Sequence, residues 1–242
     1  MGRSTLHILF LLIFIPGMST ITKGKETDPK IKKALNIVKK NAKLVDSVRQ
    51  LLVIYNNNDE NNNASIIAFD KKGKSWIPVF DVIDAGIGRK GFAAPGEKRE
   101  GDNRSPTGFF RLGQLFGYDN CAETQMPYQQ TGDEDKWIDD PDSPDYNKYI
   151  KGNTTAKSFE NLKISSDEYK LCMVIEYNTH PVIRGMGSAI FLHLSYGNSP
   201  NPSSGCVVIT PQNMEKLLKW MVPEAKPSIL MGTETVLLKG LK

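Results

Sequence analysis

The sequence predicts a mainly β protein with a few short helices, folded as a β-sandwich or a partly closed barrel. Strand-like runs dominate after residue 50, polar or Gly-rich turns separate them, and only two stretches have helical spacing. The 242 residues, 39% of them hydrophobic, suffice for one large domain or one domain with a short appendage. The net charge of +4 is too small to indicate a nucleic-acid partner.

The first twenty residues have the pattern of a secretory signal peptide. Arg3 precedes the apolar run LHILFLLIFI, which Pro16 and Gly17 end, and small residues allow cleavage after Ser19. The run is short for a permanent membrane helix, although an uncleaved anchor is the alternative. We therefore expect residues 1–19 to be a signal peptide of an exported protein that meets the membrane only through this segment.

The next segment is predicted to be a helical spacer, residues 20–49, before the main domain of residues 50–242. Apolar residues recur at steps of three and four over residues 29–50, and lysines cover the other side. Asp28 followed by Pro29 is a typical helix start. We expect one amphipathic helix that packs on the domain or spaces it from the membrane.

The first part of the main domain reads as strands joined by turns. The polar tract NNNDENNN (56–63) is predicted to be a hairpin loop between two strands. The Gly-rich residues 84–112 lack the G-K-[ST] of a phosphate loop, so we expect a long ordered loop that returns to a strand at GFFRLG. The predicted strands of this part are LLVIY (51–55), ASIIAFDKKGK (64–74), SWIPVFDVIDAGIG (75–88) and GFFRLG (108–113).

The second part begins with a long acidic excursion. Residues 119–160 show no regular pattern, and an excursion of this length usually has a binding role. A short helix is predicted at TPQNMEKLLKWM (210–221), with Thr210 as its N-cap and proline in the first turn. The predicted strands are LCMVIEYN (171–178), SAIFLHLS (188–195) and SILMGTETVLL (228–238).

The stretch FLHLSYGNSPNPSSGCVVIT (191–210) contains His193 and Cys206. A thiolate is a nucleophile, and a neighbouring imidazole can take its proton and later deliver it to a leaving amine. The small residues before the cysteine allow a tight turn whose backbone N–H groups converge as an oxyanion hole. This spacing predicts a cysteine acyl-transfer site, and it fits a buried thiol near a core histidine equally well.

The chain has three cysteines, an odd number for an exported protein. We predict that Cys121 and Cys172 form a disulfide and leave Cys206 free, with buried thiols as the alternative. A zinc site built from His180, His193 and Cys206 would need a fourth ligand, so neither a metal nor a cofactor is predicted.

The residues around Cys206 resemble the His-…-Ser-x-Gly-Cys signature of the L,D-transpeptidase catalytic domain family (YkuD type). His193 is followed by Ser203, Ser204, Gly205 and Cys206. Further segments resemble one exported, single-domain branch of that family, in the expected order, over roughly residues 50–220. They are KREGDNRSPTGFFRLG (98–113), WIDDPDSPDYN (137–147) and IEYNTHPVIRGMGSAIFLH (175–193). The resemblance favours an active site over a buried thiol.

The resemblance implies a β-sandwich-like catalytic domain that acts on peptidoglycan stem peptides in the periplasm or cell envelope of a bacterium. Cys206 would attack the carbonyl between a diamino acid and the terminal D-Ala, D-Ala would leave, and the amine of a second stem would resolve the thioester. His193 would be the general base and acid. The backbone N–H groups of Cys206, Gly205 and Ser204 would be oxyanion donors, and Ser203 or Ser204 would orient the pair. Carbapenems would acylate the same thiol.

The sequence leaves two alternatives to a transpeptidase. A hydrolase that resolves the thioester with water would be an L,D-carboxypeptidase or endopeptidase, and a catalytically silent wall-binding module would keep only the fold. Two departures bear on the substrate, because many members have Gly where Leu194 stands and Arg where Val208 stands. Arg99, Arg104 and Arg184 are candidate substitutes for that arginine, or plain surface charges. Further candidate substrate-binding residues are Tyr177, Asn178, Gly187 and Ser188.

Overall fold

The computed structural model describes residues 28–57 and 61–241, and it confirms a mainly β fold. The predicted signal peptide lies outside these residues. No helix in the described part of the chain is long and apolar enough to cross a membrane. The strands are β1 (Gln50–Asn56), β2 (Asn63–Lys72), β3 (Ser75–Pro78), β4 (Ile83–Gly86), β5 (Gly108–Gly117), β6 (Tyr128–Gln130), β7 (Asp135–Ile138), β8 (Tyr149–Lys151), β9 (Phe159–Asn161), β10 (Leu171–Ile175), β11 (Phe191–Leu194), β12 (Val207–Ile209) and β13 (Ser228–Thr233). The α-helices are α1 (Pro29–Lys40), α2 (Pro211–Trp220) and α3 (Glu234–Lys239), and two 3₁₀ helices span Asp167–Tyr169 and Pro223–Ala225.

Eight strands form a closed barrel, in the order β1-β13-β5-β10-β11-β12-β4-β2, and β2 pairs back with β1. The β1–β13 and β11–β12 pairs are parallel, and the other barrel pairs are antiparallel. Closure leaves no free edge in the barrel itself, and β3 and β6 extend it at β2 and β5. The largest core cluster joins buried side chains of these strands to α2, which contributes Met214, Leu217 and Leu218.

The first helix is shorter than predicted and ends at Lys40. Asp28 caps its start by accepting a 2.7 Å hydrogen bond from Lys30 N–H. Asn41 ends it, because its side-chain amide donates to the carbonyls of Ile37 and Leu237 at 2.8 and 2.9 Å. Its buried face packs with β1, β2 and α3 in a second core cluster, so the helix lies on the barrel.

The elements at the two ends of the chain confirm some predictions and correct others. β1 and β2 form the expected antiparallel hairpin, although residues 58–60 of its loop lie outside the described residues. Helix α2 follows Thr210 with Pro211 in its first turn, as predicted. The predicted last strand stops at Thr233, whose hydroxyl accepts from Val236 N–H at 3.4 Å and caps α3 instead.

The acidic excursion is not wholly irregular, since it contains β6 and a small three-stranded sheet in the order β8-β7-β9. Trp137 of β7 packs edge-on against Phe191 of β11, with ring centroids 5.3 Å apart. The cluster around these rings also contains Cys172 and Cys206. The small sheet therefore covers the face of the barrel that bears His193 and Cys206.

Candidate active site

Parallel pairing of β11 and β12 brings His193 and Cys206 to the wall of one cavity of about 270 Å³. His193 lies within β11, opposite Val208 of β12, and Cys206 immediately precedes β12. The loop between the two strands adds Asn201 and the Ser203–Gly205 turn to the same wall. The charged residues that line the cavity are Arg89, Lys98, Glu100, Asp139, Glu160 and Glu168.

The Cys206 side chain is 9% exposed and is held by two backbone groups. Its sulfur accepts from Phe191 N–H at 3.4 Å, and its S–H donates to the Ala189 carbonyl at 3.3 Å. Burial raises the pKa of the thiol to about 12, the Glu160 charge adds to this, and the Phe191 N–H and the Lys98 charge oppose it. The Cys206 thiol is therefore protonated at neutral pH.

His193 is 6% exposed and is oriented by the next residue. Its Nδ1 lies 2.9 Å from the Leu194 carbonyl oxygen. Because a carbonyl only accepts, Nδ1 carries the hydrogen and Nε2 is the basic atom. Burial lowers the pKa of His193, while the Leu194 hydrogen bond and the charge and backbone of Glu168 act in the opposite direction. The imidazole is thus neutral at neutral pH.

The turn before Cys206 is fixed by Ser203. Its hydroxyl accepts from Gly205 N–H at 3.0 Å and donates to the Cys206 carbonyl at 2.7 Å. Backbone hydrogen bonds of 2.9 Å tie Ser203 to Ile87 and Arg89. Since the Gly205 N–H is already engaged, the predicted oxyanion donors reduce to the backbone N–H groups of Cys206 and Ser204.

A second wall of the cavity comes from the small sheet and the 3₁₀ helix that follows it, and the sequence assigned none of its residues to the active site. The Tyr169 ring stands edge-on to the His193 ring, with centroids 5.3 Å apart, and its hydroxyl donates to Glu160 at 3.3 Å. Burial, with the Asp139 charge, raises the pKa of Glu160. The signal in the sequence was the acidic excursion at 119–160, which contains Asp139 and Glu160 but not Tyr169.

This acidic wall is not arranged as a metal site. Among residues 28–57 and 61–241, no three His, Cys, Asp or Glu side chains are grouped as ligands. Oδ1 of Asp139 is buried and has no hydrogen-bond partner in that part of the chain. The wall presents carboxylates to the cavity rather than a coordination shell.

The profile of the L,D-transpeptidase catalytic domain (YkuD) matches residues 44–236, which is most of the chain and includes both His193 and Cys206. The chain belongs to this family. It therefore has the fold of an L,D-transpeptidase catalytic domain. The matched range contains every barrel strand.

Other comparisons add little to the family assignment. No curated protein matches the chain. Two matching crystal structures are of the helical cell shape determining protein Pgp2 of Campylobacter jejuni: the protein itself, with TM-score 0.38, and its K307A mutant, with TM-score 0.39. Both are 14% identical to this chain and cover 83% and 78% of it. The chain spans about half of their length, 54% and 47% respectively.

In this L,D-transpeptidase domain only one of the four predicted cleft residues lines the cavity. Ser188 does so, and it donates to Glu100 at 2.7 Å. Gly187 N–H donates to the Tyr146 hydroxyl at 3.0 Å, behind the cavity wall. The other two hold the 178–187 loop together: the Tyr177 hydroxyl donates to Met186, and the Asn178 amide donates to Ile183 and Gly187.

The three arginines proposed from the sequence lie outside the Cys206 cavity. Arg99 and Arg104 line a different cavity, and their guanidinium groups donate to backbone carbonyls of their own loop region. Arg184 is exposed on the surface, 3.4 Å from a carbonyl oxygen. The cations on the cavity wall are instead Arg89 and Lys98.

The predicted disulfide is wrong, because all three cysteines are free. Cys121 is exposed in a loop, whereas Cys172 is fully buried in β10, directly opposite His193. The buried Cys172 and the exposed Cys121 are therefore not positioned to form a disulfide. Burial raises the pKa of Cys172 well above its ordinary range, so this thiol packs in the core as an unreactive side chain.

Proposed function

We propose that this L,D-transpeptidase-family protein is an exported cysteine acyltransferase that cross-links peptidoglycan stem peptides through a thioester on Cys206. The observation that carries the proposal is the shared cavity, in which the Cys206 thiol and the His193 imidazole lie on one wall, with His193 Nδ1 against the Leu194 carbonyl. Family membership supports the substrate class.

The protonation states support general-base attack rather than a preformed ion pair. As Cys206 Sγ bonds to the stem carbonyl carbon, its proton passes to Nε2 of His193 and the carbonyl electron pair moves to oxygen. When the intermediate collapses, the C–N bond to D-Ala breaks and His193 returns the proton to the leaving amine. The product is a thioester and free D-Ala.

The second half reaction uses the same residues in the reverse sense. The amine of a second stem attacks the thioester, its surplus proton passes to His193, and the S–C bond breaks. The thiol is restored with that proton. In both halves the backbone N–H groups of Cys206 and Ser204 are our candidate donors to the oxyanion, since the Gly205 N–H is taken by Ser203.

The nucleophile is tested by incubating the protein with a carbapenem or a stem tetrapeptide and weighing it by mass spectrometry. Wild type should gain one acyl group, Cys206→Ala should gain none, and Cys121→Ala should behave as wild type because Cys121 is outside the cavity. An equal adduct on Cys206→Ala would refute the assignment.

The fate of the thioester is tested by the products from tetrapeptide stems. A dimer linked between two diamino acid residues, with release of D-Ala, is the expected product. Tripeptides alone would show that water resolves the thioester, and the protein would then be an L,D-carboxypeptidase acting through the same Cys206.

Export is supported by the signal-like residues before position 20. Expression of the full chain in a bacterium, with fractionation and N-terminal sequencing, tests it. A periplasmic product that begins at Thr20 is expected, and a full-length cytoplasmic product would contradict export.

A further inference from the structure

A buried lysine lies on the wall of the Cys206 cavity, and the mechanism above does not use it. Lys98 is 3% exposed, and its ammonium donates to Asp102 at 2.6 Å and to the Arg99 carbonyl at 2.7 Å. Buried lysines are rare unless they are paired, and here Asp102 and the Arg99 carbonyl hold the ammonium in place. An ammonium has three donors, and the third has no acceptor in the described part of the chain.

Two glycines border the side chain of Lys98. A Cβ on Gly187 would lie 3.1 Å from Lys98 Cγ and Cε, closer than side chains normally approach. A Cβ on Gly205 would lie 3.7 Å from Lys98 Cε. The aliphatic part of Lys98 therefore lies against Gly187 and beside the residue that precedes the nucleophile.

Lys98 is the cation whose charge acts on the Cys206 thiol. Its charge favours the thiolate, and the Glu160 charge disfavours it. Burial keeps His193 neutral, so the imidazole adds no positive charge before the attack. The other titratable groups that face the thiol across the cavity and the strand cluster are Arg89, Glu100, Asp139, Glu168, Tyr169 and Cys172.

We propose that the buried ammonium of Lys98 acts on Cys206 through its charge: it stabilises the negative charge that develops on the sulfur as the thiol loses its proton, and then the oxyanion that forms. Asp102 holds the ammonium in place, because its second oxygen also accepts from the Arg99 N–H at 2.7 Å. The effect on the thiol rests on the shared cavity wall and on the charge of Lys98, and it does not depend on the proposed function. The effect on acyl transfer rests on the proposed function.

The test follows alkylation of Cys206 by iodoacetamide from pH 6 to 10, read at the peptide level so that the other cysteines are separated. Lys98→Met should slow alkylation about ten-fold at fixed pH, and its profile should shift to higher pH, as expected for removal of a nearby opposite charge. The double variant Lys98→Met with Asp102→Asn leaves no unpaired carboxylate beside the cavity, and it should show the same slowing. The control is Lys90→Met, which removes an exposed lysine outside the cavity and should leave the profile unchanged.

A second readout uses the charge of the reagent. The ratio of reaction with anionic iodoacetate to reaction with iodoacetamide at Cys206 should be lower in Lys98→Met than in wild type, and high salt should reduce that difference. The same ratio at the exposed Cys121 is the internal control and should not change. An unchanged profile, or an unchanged ratio at Cys206, in a folded Lys98→Met protein overturns the proposal. If the alkylation results hold but stems are not turned over by wild type, the proposed function fails and the role of Lys98 remains.

Discussion

The Ser105 hydroxyl donates a 2.7 Å hydrogen bond to the carbonyl of Gly205, the residue before Cys206. The same oxygen accepts from Gly88 N–H at 2.9 Å, and Ser105 is fully buried. One hydroxyl, just before β5, thus connects the loop after β4 to the turn before Cys206. It fixes the turn from outside, as Ser203 does from within.

Replacement of Ser105 by alanine should loosen that turn. It leaves a buried N–H and a buried carbonyl without their partner, which costs about 1–3 kcal/mol. Urea unfolding should show this loss, and carbapenem acylation of the folded protein should slow. Ser75→Ala, at an exposed position of β3, is the control and should change neither quantity. Wild-type stability and rate in Ser105→Ala would contradict this role.

The sequence predicted those parts of the fold that depend on local pattern. The hairpin of β1 and β2 and helix α2 follow from apolar β-branched runs, turn residues and caps within a few positions. Barrel closure depends on pairing of β1 with β13, far along the chain, which no local pattern reports. The end of α1 likewise depends on Asn41 bonding to Leu237, 196 residues away.

The site divides in the same way. His193 and Cys206 could be predicted to lie together because both are in one short stretch with a recognisable chemistry. Lys98, Glu160 and Tyr169 could not, because only the packing of the covering sheet, the 3₁₀ helix after it and the Asp102 loop brings them to the same cavity. The disulfide was mispredicted because counting cysteines says nothing about which of them a strand buries.

Gly205 should not tolerate a side chain. Its φ of +153° lies outside the range that L residues favour, and a Cβ would lie 3.0 Å from the Arg104 carbonyl oxygen. Gly73→Ala is a matched control, because Gly73 has φ +61° but open space around it, and its cost should be only about 1 kcal/mol. Gly205→Ala should lose clearly more unfolding free energy and should acylate more slowly. Equal losses in the two variants would show that crowding near Cys206 is unimportant.

The buried neutral His193 should make the protein sensitive to acid. Because its pKa is lowered in the folded state, the unfolded chain binds a proton more readily as pH falls below the ordinary value of 6.5. Stability from this group is therefore present above that pH and is lost below it. Unfolding free energies at pH 7 and pH 5 should differ less in His193→Gln than in wild type. His180→Gln, at an exposed position, should behave as wild type, and a His193→Gln protein with undiminished acid sensitivity would contradict the prediction.

The three thiols should differ in reactivity in the native protein. Cys121 is exposed and should react first with a maleimide, Cys206 more slowly, and Cys172 only on unfolding, because it is fully buried. Non-reducing peptide mapping should find no Cys121–Cys172 disulfide after export. A mapped disulfide between them, or early labelling of Cys172, would show that β10 is not buried as described.

Trp137 should couple the small sheet to both stability and catalysis. Its ring packs edge-on against Phe191, and its indole N–H donates to Asn147 at 2.8 Å. Trp137→Ala removes a buried aromatic side chain, which costs about 3–5 kcal/mol, and it loosens the sheet that carries Glu160 beside the cavity. Carbapenem acylation should therefore slow even at a temperature where the variant is folded. Trp76→Ala is the comparison, since Trp76 packs on the α1 side of the barrel and should lower stability without slowing acylation. A Trp137→Ala protein that is destabilised yet acylates at the wild-type rate would show that the covering sheet only protects the core and does not shape the site.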